Sequence, residues 1–174
     1  MKENNNRVTD NVEIEDAELR FRNFSGKEGK FNAKGNRNFC VLISDEAAKT
    51  LEADGWGIKY LKPRDEGDLP VPYMQVKVAY SDRSKPTIWL MTECDGEIIN
   101  KNKLGEDDID ILDWAEIKRA DLVIRPYNWE VQGKTGVKAY LKSMYVTIGE
   151  DKFARKYSDV PASAYGSVTG NDID

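Results

Sequence analysis

The chain has 174 residues, of which 33% are charged and 40% hydrophobic, and a formal net charge of −5. That length suits one domain with a substantial core, and no apolar run approaches the ~20 residues that a membrane-spanning helix requires. There is no histidine, which excludes Ser-His-Asp and Cys-His catalysis, histidine acid–base chemistry and the usual zinc sites.

The first residues, Met1-Lys2-Glu3-Asn4-Asn5-Asn6, lack the apolar core of a signal peptide, so a cytoplasmic protein is expected. Residues 1–10 read as a flexible N-terminus. Val12, Ile14, Ala17, Leu19 and Phe21 alternate with one irregularity near Asp16, the pattern of a long strand carrying a bulge. Phe39 to Ile43 reads as a second strand. Ser44 to Gly55 is the clearest helix, with Ser44 as cap, Asp45 and Glu46 at the positive end of the dipole and Gly55 as stop.

Strands follow at Ile58–Leu61, Tyr73–Tyr80 and Thr87–Thr92. Leu104 to Ala120 is acidic and predicts a short helix or loop. Asp121–Val131 and Val137–Ile148 predict a hairpin around Gln132-Gly133-Lys134-Thr135-Gly136. From Ser158 onward small and polar residues predict a flexible acidic tail. Cys40 and Cys94 have no metal-ligand spacing and are expected as free thiols in a reducing compartment. About seven or eight strands without βαβ alternation predict an antiparallel barrel or sandwich.

Two segments combine cations with rings. Between Arg20 and Phe39 lie four phenylalanines and six basic residues, opposed only by Glu28. In the final hairpin, alternation puts Arg125, Tyr127 and Trp129 on one face and Lys138, Tyr140 and Lys142 on one face of the returning strand, with Leu141, Tyr145 and Thr147 opposite. Cations meet phosphates and rings stack on bases, the ingredients of a single-strand groove. A hairpin core with solvated lysines explains the first segment without any ligand, and ordinary sheet tyrosines with edge lysines explain the second.

Other motifs carry less. Gly133-Lys134-Thr135 lacks the upstream glycine of a phosphate loop, since Asn128 stands there. The acidic run from Glu106 to Glu116 lacks the calcium-loop pattern. Glu116-Ile117-Lys118, with Asp110 or Asp113, fits the short end of a metal-dependent nuclease site.

Phe21-Arg22-Asn23-Phe24-Ser25-Gly26-Lys27-Glu28-Gly29-Lys30-Phe31, Gly35-Asn36-Arg37-Asn38-Phe39 and Asp54-Gly55-Trp56 resemble phage-encoded single-stranded DNA-binding proteins. So do Ile124-Arg125-Pro126-Tyr127-Asn128-Trp129 and Gly136-Val137-Lys138-Ala139-Tyr140-Leu141-Lys142, and the resemblance runs from about Val12 to Tyr157. It implies an oligonucleotide-binding (OB) fold with extra strands and loops, protecting single strands during phage replication or recombination without catalysis. The end, Asp172-Ile173-Asp174, resembles the acidic tails that recruit replication proteins but lacks a terminal proline-phenylalanine.

The reading is therefore a mainly β, OB-like antiparallel barrel with extra strands and one or two short helices over residues 11–157, with a tail over 158–174. Its partner is single-stranded DNA, with replication or recombination proteins at the tail, self-association compatible, and no membrane, metal or cofactor. Phosphates would meet Arg20, Arg22, Lys27, Lys30, Lys34, Arg37, Arg125, Lys138 and Lys142. Bases would stack on some of Phe24, Phe31, Tyr127, Trp129 and Tyr140, with Asn36 and Asn38 in polar contact. The alternatives are a virion or assembly protein using the same faces as a protein interface, and the metal-dependent nuclease.

Overall fold

The computed structural model describes residues 7–149, so most of the expected N-terminal segment and all of the expected acidic tail lie outside the described residues. The opening alternation folds as two short strands, β1 (Val12–Ile14) and β2 (Leu19–Asn23). The irregularity between them is a bend at Asp16, whose φ is 49°. The bend is pinned where Asp16 N donates to Asp121 Oδ1 at 2.8 Å and Ala17 N to the Ala120 carbonyl at 2.7 Å.

Strand β3 (Arg37–Leu42) buries Phe39, Cys40 and Val41. Helix α1 (Asp45–Ala53) starts where expected, with Ser44 Oγ accepting from Ala47 N at 3.1 Å, and it turns Ala48 and Leu51 inward. Strands β4 (Ile58–Leu61) and β5 (Val71–Val78) follow. In β5 the alternation is strict: Met74, Val76 and Val78 are buried, while Gln75 and Lys77 face out.

Strands β6 (Thr87–Cys94) and β7 (Glu97–Leu104) form a hairpin. The sequence reading places no strand at β7, because six of its eight residues are exposed and its apolar residues, Ile98, Ile99 and Leu104, fall on both faces. A single turn of 3-10 helix (Ile109–Asp113) buries Ile109 and Leu112. The chain then runs through β8 (Ile117–Val131) and β9 (Lys134–Gly149), joined by the two-residue turn Gln132-Gly133 rather than the five-residue turn expected.

One sheet contains all nine strands, with the main path β1-β8-β9-β5-β3-β2. Two features depart from an antiparallel barrel. Strand β9 pairs in parallel with both β5 and β6, so the sheet is mixed, and its hydrogen-bonded path does not close. Its two end strands, β1 and β2, are nonetheless consecutive parts of one bent segment, which curls the sheet around a common interior. Phe24, Phe39, Met74, Ile88, Leu122, Ile124 and Met144 fill that interior at 2% exposure or less. The mainly β architecture with short helical pieces is as expected.

Candidate nucleic-acid interface

The sheet order brings the two cation-aromatic segments together. Strand β5 lies between β3 from the first segment and β9 from the second. The registers align Asn23 with Asn38, Asn38 with Lys77, Lys77 with Tyr140, and Tyr140 with Arg125. One outward row thus crosses five strands with two amides, two cations and a ring. Residues of alternate parity, including Phe39, Val76, Ala139 and Ile124, point into the core, as the period-2 pleat requires.

The row is held by its own contacts. The Arg125 guanidinium lies 4.7 Å from the Tyr140 ring centroid, and Lys77 Nζ lies 5.8 Å from it. Tyr127 tilts against Tyr140 at 5.3 Å and keeps 47% of its surface exposed. Cations placed over ring faces are attracted by the ring quadrupole. That stacking fixes long side chains that would otherwise lose rotamer freedom on meeting a ligand.

Beside the row opens a groove of about 350 Å³ lined by Asn36, Arg37, Asn38, Gly55, Gly57, Lys59, Met74, Gln75, Lys77, Trp129, Val137, Lys138 and Ala139. Four cations, three amides and an indole share it, and none of its lining residues is acidic. In a protein of net charge −5, that is a local positive field in a concave surface, which concentrates anions. The indole of Trp129 lies flat over its cross-strand partner Gly136: a Cβ there would sit 2.5–2.7 Å from the ring.

The basic loop between β2 and β3 is built rather than slack. Gly26, at φ 71°, accepts from Gly35 N at 2.8 Å, and the two backbones pass so closely that a Cβ on Gly26 would meet Gly35 at 3.0 Å. Asn32 Nδ2 donates to the carbonyls of Lys27, Ala33 and Asn36, and its Oδ1 accepts from Asn38 at 2.9 Å. Lys27, Lys30 and Lys34 stay exposed on this frame. Phe31 is 94% exposed, with Lys30 Nζ 5.5 Å from its centroid.

Two expected contacts need correction. Phe24 is fully buried and stacks on Phe39 with centroids 5.1 Å apart; it belongs to the core and offers no face to a base. Arg22 donates through Nη1 to the carbonyls of Leu112 and Ala115, at 2.9 and 2.7 Å. It staples the 3-10 turn, so that nitrogen is not free for a phosphate. Arg20 is exposed and paired with Glu18 at 2.5 Å, and Lys142 is exposed further along β9.

Arg37 is the most constrained cation at the groove. Its side chain is 22% exposed, lies 5.5 Å over Tyr80, and bonds through Nη1 to Glu106 Oε1 at 3.0 Å. Its Nε, like that of Arg125, is buried without a hydrogen-bond partner among the described residues. Burial is also what pushes the Tyr80 hydroxyl above its ordinary pKa, against the opposing pull of Arg37.

Lys59, Gln75 and Lys77 carry no motif in the sequence that marks them as groove residues. The available signal was the polar parity of β5, Gln75 and Lys77 alternating with buried residues; only the pairing of β5 between β3 and β9 shows which surface that parity faces. Alternation also misplaced Tyr145. The register irregularity between Val123 and Ile124 shifts the β8–β9 pairing from Leu141 to Ser143, so Leu141 is buried and Tyr145 is 38% exposed on the outward side. Of the carboxylates in the nuclease reading, Asp113 accepts from the backbone N–H groups of Phe24 and Ser25. Among the described residues no group of three or more ligating side chains could hold a metal.

An outward sheet face of rings, cations and amides around a groove with no acidic lining residue has the composition expected of a single-strand nucleic-acid-binding surface. A family model described as "Putative phage ssDNA-binding domain" matches residues 1–174, and the chain belongs to that family. No curated protein matches the sequence significantly. Among solved structures, the chain is similar to the single-stranded DNA-binding protein of bacteriophage Enc34 in complex with ssDNA, at 12% identity and TM-score 0.48, covering 80% of this chain and 87% of that one. A second structure of the Enc34 single-stranded DNA-binding protein gives 13% identity and TM-score 0.47, with 89% of each chain covered. The gp2.5 single-stranded DNA-binding protein of bacteriophage T7 gives 11% identity and TM-score 0.36, covering 88% and 96%.

Proposed function

We propose that this chain binds single-stranded DNA with little regard to sequence, using the outward face of β3, β5, β8 and β9, and protects it during phage replication or recombination. The observation that carries this reading is the convergence of segments about 90 residues apart on one groove whose lining residues include four cations and no carboxylate. Arg37, Lys59, Lys77, Lys138 and Arg125 follow the phosphates, while Trp129, Tyr127 and, from the basic loop, Phe31 offer rings. Each stacked base contributes roughly 1–3 kcal/mol regardless of identity. Asn36, Asn38 and Gln75 meet base edges or sugars, and their amides both donate and accept, which tolerates any base. Tyr140 serves as the platform that holds Arg125 and Lys77.

In this reading residues 11–157 form the binding domain and the acidic segment 158–174 recruits replication or recombination proteins. The protein acts without catalysis in the cytoplasm of the host cell. Anisotropy of a labelled oligo-dT of ~30 nucleotides at about 50 and 300 mM salt tests the core of it. Binding is expected to weaken steeply with salt, to exceed duplex binding, and to fall in Trp129→Ala. An absence of binding at low salt would overturn the reading and leave the same faces as a protein interface.

A further inference from the structure

A second ring-and-cation cluster lies on the outward side of β9, beyond the register irregularity that turns Tyr145 outward. Trp89 on β6 pairs with Tyr145 on β9 and, across the other edge, with Lys103 on β7. Lys101 Nζ sits 4.4 Å from the Trp89 centroid and 5.7 Å from that of Tyr145. Trp89 is partly exposed, Tyr145 is 38% exposed, and both lysines are exposed. The one carboxylate opposite Tyr145, Asp121, is engaged by Arg119 at 3.2 Å, so its charge is compensated locally.

This cluster repeats the composition of the groove on the same strand. Tyr140 and Tyr145 are five residues apart on β9, about 16 Å at ~3.3 Å per residue. The interval carries Lys142, exposed, and Ser143. A single strand leaving the groove along β9 therefore meets a cation before reaching a second pair of rings. Resting on that reading of the groove, we propose that Trp89, Tyr145, Lys101 and Lys103 form a second single-stranded DNA subsite, occupied by the continuation of the strand held in the groove. In it Lys101 swings off the rings to a phosphate, and a base takes its place against Trp89 or Tyr145. A hairpin made only for stability has no need of two lysines on the face of its exposed rings, whereas a path for an anionic polymer does.

The test compares oligo-dT of about 6 nucleotides, enough for the groove, with about 20 nucleotides, enough for both subsites. The proteins are the wild type, Lys101→Glu/Lys103→Glu, and Tyr145→Ala, each checked for native circular dichroism and melting. The charge reversals touch only exposed positions of β7, so they keep the test valid if Tyr145→Ala unfolds. Wild type is expected to bind the longer strand at least ~10-fold more tightly, and the variants to lose that advantage while binding the short strand as before. Variants that keep the length advantage, or that weaken both lengths equally, would overturn the second subsite. So would a wild type with no length advantage, with the groove reading left standing. A wild type that binds neither length removes both.

Discussion

Replacing Glu106 with glutamine is expected to make the protein bind single-stranded DNA more tightly. The Glu106 carboxylate holds Arg37 Nη1 at 3.0 Å, with the two side chains 49% and 22% exposed. A guanidinium accepts a phosphate and a carboxylate with the same geometry, so a phosphate reaching Arg37 must first displace Glu106. An ion pair of this exposure is worth up to about 1 kcal/mol. A carboxylate left ~6 Å from a phosphate adds roughly 0.7 kcal/mol of repulsion in water, less with salt. Removing both terms while keeping the shape of the side chain gives about 1–1.5 kcal/mol, or roughly 5–13-fold in affinity. In Arg37→Ala the plot of log affinity against log salt should flatten by ~0.7, the value of one phosphate contact on a single strand.

Anisotropy titrations of wild type, Glu106→Gln, Arg37→Ala and the double variant across a salt series measure both quantities. The gain must vanish in the Arg37→Ala background. Weaker binding by Glu106→Gln would show that Glu106 orients the guanidinium rather than occupying it, and an unchanged slope in Arg37→Ala would show that Arg37 meets no phosphate. Either result refutes the reasoning.

Gly136→Ala should push the Trp129 indole off its seat, because the new Cβ falls 2.5–2.7 Å from the ring; DNA affinity should drop about 5-fold or more, the loss of one stacked base, and a wild-type titration would sink the stacking role. Arg22→Ala should cost ~2 kcal/mol of stability in urea melts through two lost charge-assisted bonds, with DNA affinity of the folded protein unchanged; a selective loss of affinity would restore Arg22 to the interface. Burial raises the Cys40 thiol above its ordinary 9.0 and the Tyr80 hydroxyl above 10.0. In both, the folded state holds the proton more tightly, so their stabilising contribution is complete below pH ~9 and is lost as pH rises through the folded values. Melting temperature should fall on the alkaline side, less so in Cys40→Ala, and a flat alkaline limb would contradict this.

Much of the strand inventory was legible because the pleat writes itself as alternation: β5 and an irregularity near Asp16 follow from spacing alone, although the expected long bulged strand is two strands joined by a bend. The limits are equally physical. Strand β7 has no buried face and hence no pattern to read. Phe24 and Phe31 look alike in the sequence, and only the position of the Asp113 cap and the stacked Phe39 sends one ring inside and leaves the other out. Arg22 and Arg125 likewise differ only through what the fold brings near them. A register slip of one residue decides the face of Tyr145, and periodicity cannot report a slip that pairing creates. The groove itself depended on β5 lying between two segments remote in sequence, which is a property of topology.

Strand β9 pairs with β8 along one edge and with β5 and then β6 along the other. It is thus the keystone of the sheet, and it is also the last strand of the described residues. On a ribosome, β3 and β5 emerge long before their partner and can pair with each other, yet the groove has no far wall until β9 arrives. Non-local pairing of this kind folds slowly and late. The nascent chain therefore carries its basic loop and cations exposed without a complete groove, and on the proposed reading DNA binding should switch on in one step once Gly149 has emerged from the ribosome. A series of stalled nascent chains would read that step directly.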